Sequence, residues 1–245
     1  MNDDSMEYGA ALARIHDEAF RGHADLCASG ILDLLTPVLE RAGVVVEIGC
    51  GSGALTRHLV DAGHKVIATD ASPAMLDLAR SNVPDALEHR LIRLPMDPVP
   101  AGDAVVSTGH VLSYLPTEAD VIEALRACSR AVRPGGVLAL DLEDCSMIEA
   151  HVDKPPTAWI GDDWALAIER QSDGPDHFAR IHTIFVAEVD GRYRREVERH
   201  DNVPIDVEAV VPPVLISEGM KVEIGTSFAG EELMVGLRTV VAHRP

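Results

Sequence analysis

The chain has 245 residues, 47% of them hydrophobic, so it can bury a substantial core in one α/β domain with an insertion. Its formal net charge of −19, from 40 acidic and 21 basic side chains, would repel a polyanion and makes nucleic acid a poor candidate partner. No apolar run approaches the roughly 20 residues that cross a bilayer, and the acidic N-terminus is unlike a signal peptide. We therefore expect a cytoplasmic protein without a membrane segment.

The cysteines do not indicate a metal or disulfide framework. They lie far apart and show no Cys-x-x-Cys spacing, so we expect reduced side chains and no metal site. The cysteines are Cys27, Cys50, Cys128 and Cys145.

Hydrophobic periodicity divides the first part of the chain into two regions. Near-helical spacing over residues 5–41 predicts an N-terminal helical cap within residues 1–43. From Val44 onward, short apolar runs alternate with amphipathic stretches, which predicts a doubly wound, mostly parallel sheet in a cofactor-binding core over residues 44–143. The predicted strands are 44–48, 65–69, 87–92, 103–107 and 137–142, and the predicted helices are 53–62, 73–82 and 117–132.

After Asp144 the pattern changes to turn-bounded, alternating segments near 163–170, 178–189 and 192–200. This pattern predicts an antiparallel β insertion over residues 144–204 that serves substrate binding or oligomerisation. A helix near 206–218 and strands near 221–228 and 235–242 then complete the core within residues 205–245. Exposed strand edges of the insertion are suited to pairing across a twofold axis, so a homodimer is one expected assembly.

A glycine-rich turn follows the first predicted strand and opens a helix. Its sequence is Gly49-Cys50-Gly51-Ser52-Gly53. Such a turn can cradle a phosphate or pack against the carboxylate-bearing tail of an amino acid. Gly49, Gly51 and Ala54 also match the dinucleotide-binding spacing, with Asp70 about 20 residues further on. Glu47 before the turn, the third glycine and the Arg133-Pro134-Gly135-Gly136 turn favour a different cofactor.

With these motifs, residues 44–142 resemble the Rossmann-like S-adenosylmethionine-dependent methyltransferases. The resemblance implies a seven-stranded sheet and S-adenosylmethionine as cofactor. It implies that Asp70 accepts hydrogen bonds from the ribose hydroxyls, although Asp70 also suits a helix cap or a turn. Glu47 either bonds backbone N–H groups of the turn or lies near the cofactor's ammonium group. The other cofactor-binding residues implied are Gly49, Cys50, Gly51, Gly53, Ala71, Met75 and His110.

The sequence departs from the family pattern after the third predicted strand. The family often has an acidic residue there that meets the adenine amino group, whereas this chain has Arg93-Leu94-Pro95-Met96-Asp97. Asp97 is therefore either a displaced adenine contact or a turn aspartate.

The methyl acceptor is expected at the carboxyl end of the fourth predicted strand, where ligands bind in open α/β sheets. His110 and Tyr114 fall there. His110 walls or contacts the cofactor, acts as a general base, or only packs, and Tyr114 is a second catalytic candidate. His200, which shares a strand face with Glu198, is a third catalytic candidate: this face meets either a polar substrate, or else solvent or a subunit partner.

Residues of the N-terminal cap and two tryptophans give two further expectations. The cap residues Tyr8, His16, Phe20 and Arg21 either cover the cleft or only dock the helices. Trp159 and Trp164 either line an acceptor pocket or pack.

We predict an S-adenosylmethionine-dependent methyltransferase that acts on a small-molecule acceptor, a metabolite or natural-product intermediate. One rival is a non-catalytic module that binds the same cofactor, since function resides in sites rather than in folds. The other is an NAD(P)-dependent oxidoreductase, for which no tyrosine has a lysine four residues on.

Overall fold

The computed structural model describes residues 8–174 and 177–245 and confirms the predicted α/β fold class. A short 3₁₀ turn spans Val111–Tyr114. The helices are α1 Ala10–Ala19, α2 Gly22–Glu40, α3 Ala54–Asp61, α4 Pro73–Asn82, α5 Glu118–Ala131, α6 Ser146–His151 and α7 Val207–Ser217. The strands are β1 Val44–Ile48, β2 Lys65–Asp70, β3 Glu88–Leu91, β4 Gly102–Ser107, β5 Val132–Glu143, β6 Thr157–Ile160, β7 Trp164–Gly174, β8 His177–Ala187, β9 Tyr193–Asn202, β10 Lys221–Gly225 and β11 Leu237–His243.

The main sheet has seven strands in the order β10-β11-β5-β4-β1-β2-β3. Neighbouring strands are parallel except at β11, which is antiparallel to both β5 and β10. The strand order reverses between β1 and β4, because the chain runs outward through β2 and β3 before it returns. Ligands of open α/β sheets bind at such a switch point, so the loops after β1 and β4 are where a site is expected.

Alternate residues of the central strands feed two separate cores, as expected of a sheet covered on both faces. Val46 and Val105 face the core that includes Leu125 of α5 and Val211 of α7. Val45 faces the opposite core, with Ile31 of α2 and Leu55 of α3. These two helical layers fix the loops between them.

A second, four-stranded antiparallel sheet, in the order β6-β7-β8-β9, contains the segments predicted as an insertion. Helix α1 packs against it through Leu12 and Ile15, which contact a cluster with Leu166 and Ile184. Trp164 belongs to the same cluster and donates its indole N–H to Glu18 Oε2 at 2.5 Å. Trp164 is therefore a packing residue.

The main differences from the predicted elements concern β5, α6 and β6. Strand β5 begins at Val132 rather than 137, so the Arg133–Gly136 turn lies within it. Helix α6 and strand β6 were not predicted, since their six and four residues are too short to show a period. Asp144 organises the start of α6 by accepting from the Ser146 N–H at 3.1 Å. No helix in the described ranges is long and apolar enough to cross a membrane.

Candidate active site

The glycine-rich turn after β1 is built from left-handed backbone. Gly49 has φ +66° and Gly51 has φ +54°, which L side chains rarely adopt. A Cβ at Gly49 would meet Val111 Cγ2 at 2.4 Å, so this glycine also permits the close packing of the loop after β4. A Cβ at Gly51 would meet nothing within 4 Å. Gly51 therefore faces open space, where a ligand can approach the backbone.

Asp70, at the end of β2, ties the glycine-rich turn to the next helix. Its Oδ2 accepts from the Gly51 N–H and its Oδ1 from the Ser72 N–H, each at 2.8 Å. Ser72 caps α4 by accepting from the Met75 N–H at 3.2 Å, and its hydroxyl donates to the Tyr8 carbonyl at 2.8 Å. The structure thus gives Asp70 the turn role considered from the sequence and also places it on the wall of a cavity.

The first cavity, of about 330 Å³, lies over the carboxyl ends of β1 and β2. It is lined by five residues predicted to bind the cofactor: Gly49, Gly51, Asp70, Ala71 and Met75. The lining also includes the apolar residues Ile92, Leu94, Leu112 and Leu115. A cavity with both a polar edge and apolar groups suits a flat ring that carries a polar sugar.

A second cavity, of about 320 Å³, adjoins the first. Its walls come from the glycine-rich turn, helices α1 and α2, the loop after β4 and the inner face of the second sheet. The residues that line both cavities are Tyr8, His16, Gly49, Gly51, Thr108, Gly109 and Tyr114. The two cavities are thus two compartments that meet at the sheet's switch point.

Asp141 of β5 stabilises the loop after β4 by hydrogen bonding to its backbone. This buried carboxylate accepts from the Gly109 N–H at 3.1 Å and from the His110 N–H at 2.7 Å. Its Oδ2 is also 2.6 Å from His23 Nε2 of α2. Gly109 and His110 both have left-handed backbone, with φ +90° and +50°, which is uncommon for a histidine. Asp141 therefore stabilises a strained turn that brings His110 to the cavity wall.

His23 and Asp141 form an ion pair at neutral pH. Burial opposes the charge on His23, but the hydrogen bond to Asp141 outweighs it and raises the pKa of His23 to about 10. Burial likewise opposes the charge on Asp141, yet His23 and the loop N–H groups lower the pKa of Asp141. Cys27 Sγ lies 3.7 Å from His23 Nε2. The side chains of His23, Cys27 and Asp141 are all of types that can bind a metal ion. The ion pair already satisfies His23 and Asp141, so we assign no metal here.

His110 lines the second cavity, and its ring stacks on Tyr114 with 5.8 Å between ring centroids and 14° between planes. Its Nε2 is 3.4 Å from Glu143 Oε1, and its buried Nδ1 has no hydrogen-bond partner among the described residues. Burial lowers the pKa of His110 to about 4, although Glu143 opposes the shift. The imidazole is therefore neutral at pH 7 and able to accept a proton.

His200 is buried behind the wall rather than in it. Its Nε2 is 3.1 Å from Glu198 Oε2, in keeping with the predicted shared strand face. Its ring centroid is 4.6 Å from that of Tyr8 and 4.7 Å from that of His182. Tyr8 in turn contacts Tyr114 through their hydroxyls at 3.3 Å. His200 thus packs beneath the junction of the two cavities.

Polar residues of the acceptor side were missed from the sequence, among them Glu143 and Arg180. Glu143, at the end of β5, is fully buried and pairs closely with Arg180 of β8. Arg180 also donates to Asn202 Oδ1 at 2.6 Å. A signal for Glu143 existed, because Asp141 and Glu143 interrupt the apolar run that begins at Val137, and buried carboxylates need partners. No local pattern connects that strand to Arg180, which is 37 residues away.

The remaining predicted residues occupy different places. Glu47 and Cys50 line the second cavity, as do Phe20, Arg21 and Trp159. Gly53 and Asp97 line neither cavity. A Cβ at Gly53 would meet Val83 Cγ2 at 2.9 Å, so Gly53 serves helix packing. Asp97 Oδ2 accepts from the Arg93 N–H at 2.8 Å, which makes Asp97 a turn aspartate in this structure.

Comparison with known proteins gives a consistent result. Residues 45–136 match the model of a methyltransferase domain family. The putative methyltransferase YqeM of Bacillus subtilis is 28% identical over 175 residues, covering 69% of this chain and 70% of that protein. The chain spans about half the length of other curated relatives that it matches.

Solved structures show the same fold along almost the whole chain. An S-adenosylmethionine-dependent methyltransferase from Clostridium acetobutylicum superimposes with a TM-score of 0.77 at 16% identity, covering 95% of this chain and 97% of that one. The sugar N-methyltransferase KedS8 from Streptoalloteichus sp. gives 0.74 at 23% identity, with coverage of 97% and 95%. Residues 45–136 thus form a methyltransferase domain, and the chain has the fold of Rossmann-like, S-adenosylmethionine-dependent methyltransferases.

The cavities of this methyltransferase fit the cofactor. Open space over Gly51 admits a ligand against the backbone, and the Asp70 carboxylate offers an acceptor at the cavity edge for a diol. Glu47 is 2% exposed and lines the adjoining compartment, where a carboxylate can meet an ammonium group. Met75, Ile92 and Leu94 provide apolar walls for an adenine ring.

Glu47 is expected to make cofactor binding depend on pH. Burial raises the pKa of Glu47 to about 7, although the Thr56 hydroxyl donates to its Oε2 at 2.6 Å. Below that pH, Glu47 is protonated in the protein without cofactor, whereas an ammonium group of the cofactor binds the ionised carboxylate. The affinity for S-adenosylhomocysteine should therefore rise about tenfold from pH 6 to pH 8. Calorimetry on the wild type and Glu47→Gln measures this; an equal slope in the variant would show that another group titrates.

The His23–Asp141 pair is expected to stabilise the fold in a pH-dependent way. Because the folded pKa of His23 is raised to about 10, its contribution is complete below about pH 6.5 and is lost toward pH 10. Relative to His23→Gln, the wild type should lose on the order of 2–4 kcal/mol of unfolding free energy between pH 6.5 and 9.5. Urea titrations at several pH values measure this difference.

His58 provides a matched control for that measurement. Its Nε2 is 2.7 Å from Asp25 Oδ1, but both side chains are substantially exposed. Exposed pairs contribute little, so the difference between wild type and His58→Gln should vary by less than about 1 kcal/mol over the same range. A His23→Gln difference that stays constant with pH would contradict the ion pair.

Proposed function

We propose that this methyltransferase transfers a methyl group from S-adenosylmethionine to a small molecule, a metabolite or natural-product intermediate, bound in the second cavity. The observation that carries the proposal is the pair of adjoining cavities, of about 330 and 320 Å³, that share the Gly49–Gly51 turn and the Gly109 loop. The first has the composition of a cofactor site. The second is walled by α1 and by the inner face of β7 and β8, and its size suits a small ligand.

The chain's contribution to the reaction is mainly alignment. A bound S-adenosylmethionine supplies an activated methyl group on a sulfonium that is already a good leaving group. The protein has to hold the acceptor atom in line and exclude water. Tyr8 and His16 close the junction from above, and the Tyr8 carbonyl is fixed by the Ser72 hydroxyl. We propose that the segment from Tyr8 through α1 thus acts as the cover of the site.

We propose His110 as the group that accepts a proton from the acceptor. Its imidazole is neutral at pH 7, lines the second cavity and has one unpartnered, buried nitrogen. Glu143 Oε1, 3.4 Å from the other nitrogen, would stabilise the imidazolium once formed. Tyr114 orients the ring by stacking. In the alternative role of wall, His110 would contribute packing alone, and its replacement by glutamine would leave turnover nearly unchanged.

An amine is the acceptor group that we propose first. The Arg170 guanidinium lines the second cavity, and its positive charge disfavours a further one, which keeps an amine in its nucleophilic, neutral form. KedS8, which shares the fold, carries the name of a sugar N-methyltransferase. Homodimer formation stays a prediction, which sedimentation velocity measures.

Transfer of labelled methyl groups tests the proposed function. Purified protein is incubated with methyl-labelled S-adenosylmethionine and a panel of amino sugars and other small amines, each beside its hydroxyl counterpart. We expect transfer to at least one small molecule, with turnover reduced about 100-fold in His110→Gln and unchanged in His89→Gln, whose side chain lies on β3 away from the second cavity. Intact binding of S-adenosylhomocysteine without transfer to any panel member would favour a non-catalytic cofactor-binding module.

A further inference from the structure

Two arginines face each other on the wall of the second cavity. Arg170 of β7 and Arg180 of β8 are direct partners in the antiparallel ladder, and both line the cavity. Like charges directly opposite each other on neighbouring strands are destabilising. Such a pair therefore needs negative charge nearby, from the protein or from a ligand.

The protein supplies that charge to Arg180 alone. Arg180 pairs closely with the buried Glu143 and donates to Asn202 Oδ1 at 2.6 Å. Arg170 donates to the Thr157 hydroxyl at 3.1 Å. Among the side chains that the structure describes, no carboxylate lies within ion-pair distance of Arg170. Arg170 is thus left without a carboxylate partner among the described side chains.

The surroundings of Arg170 add positive rather than negative charge. Lys154 Nζ lies 3.2 Å from His151 Nδ1, and the charges of Arg170, Arg180 and Lys154 all act on His151. Burial and the nearby Arg180 lower the pKa of Arg170, which shows an unfavourable setting for its charge. This end of the cavity is locally cationic in a chain whose net charge is −19. A cleft of one sign attracts a ligand of the other.

We propose that Arg170, backed by Arg180, forms an anion subsite, so that the methyl acceptor carries a carboxylate or a phosphate group. A guanidinium matches either group with two parallel hydrogen bonds. The acceptor would then lie with its anionic end against β7 and β8 and its reacting atom toward the Gly109–His110 loop, since both line the same cavity. The subsite rests on the proposed function, because it selects the acceptor for that reaction.

Calorimetry on the full chain saturated with S-adenosylhomocysteine tests the subsite. The probes are inorganic pyrophosphate for the phosphate source and succinate for the carboxylate source, each against sodium chloride at equal ionic strength. One of the two probes should bind the wild type saturably at a single site. Arg170→Gln should weaken that binding at least about tenfold, and Arg170→Lys, which keeps the charge but not the fork, about threefold.

Arg195→Gln is the matched control, because Arg195 is an exposed arginine on the neighbouring strand β9 and lines neither cavity. It should bind the probe as the wild type does. The proposal is overturned if neither probe binds the wild type, or if Arg170→Gln binds as tightly as the wild type. Binding of S-adenosylhomocysteine is measured first in every variant. Its absence in the wild type would refute the cofactor site, whereas its presence without anion binding would refute the subsite alone.

Discussion

Replacing Asp141 by asparagine is expected to lower kcat by about 100-fold, although Asp141 lines neither cavity. The Asp141 carboxylate accepts hydrogen bonds from three donors: the Gly109 N–H, the His110 N–H and His23. An asparagine amide would turn its NH₂ group, itself a donor, toward one of them. The left-handed turn would then relax and displace His110 from the cavity wall. His23 would also lose its counter-ion, so the unfolding free energy should fall by about 3 kcal/mol.

Two comparisons separate this positioning role from a loss of stability. Asp103→Asn is the matched control, because Asp103 also pairs with charged groups, Arg41 and Arg133, and accepts from the Val44 N–H at the opposite end of the sheet. It should lose stability and keep kcat with the amine acceptor found in the panel. In Asp141→Asn the affinity for S-adenosylhomocysteine should stay within about threefold of the wild type, since Asp70 and Glu47 are unchanged. An unchanged kcat in folded Asp141→Asn would refute the positioning role.

Replacing Asp70 by alanine is expected to weaken the binding of S-adenosylhomocysteine by about 100-fold. The change removes the acceptor at the edge of the first cavity and also frees the Gly51 and Ser72 N–H groups that the carboxylate orders. Hydrogen bonds to a charged group contribute about 1.5–3 kcal/mol, and 1.4 kcal/mol is tenfold in affinity. Asp70→Asn, which keeps one carbonyl oxygen, should lose about tenfold.

Asp77→Ala is the control for the Asp70 variants. Asp77 lies on the neighbouring helix α4, is exposed and pairs with Arg80. Its removal should leave cofactor affinity unchanged, and circular dichroism verifies that each variant is folded. Equal affinities for folded Asp70→Ala and Asp77→Ala would remove Asp70 from the cofactor site.

The sequence predicts the core of this fold well because its signals are local. The alternation of apolar runs with amphipathic stretches is set by residues that face two cores, as Val45 and Val46 do. The glycine-rich turn can also be predicted from local sequence, because its left-handed backbone at Gly49 and Gly51 favours glycine. Asp70 could be predicted as a site residue because it stands at the end of the strand β2.

The acceptor side depends on contacts that no local pattern contains. Asp141 and Glu143 stand out as charges in the apolar second half of β5, but their partners His23 and Arg180 come from α2 and β8. The opposition of Arg170 and Arg180 follows from the register of the β7–β8 hairpin. For Asp97 the local sequence suggested a role that the structure does not give it. Its residue type suited an adenine contact, but its N–H and its carboxylate both form hydrogen bonds with the Arg93 backbone in a turn.

The most direct test of this account is calorimetric titration of the purified wild type with S-adenosylhomocysteine, run beside NAD. The two adjoining cavities, with Asp70 at the edge of one and Glu47 in the other, predict saturable binding of one S-adenosylhomocysteine per chain and no binding of NAD. Binding of NAD by the folded protein, with none of S-adenosylhomocysteine, would contradict the assignment of both cavities.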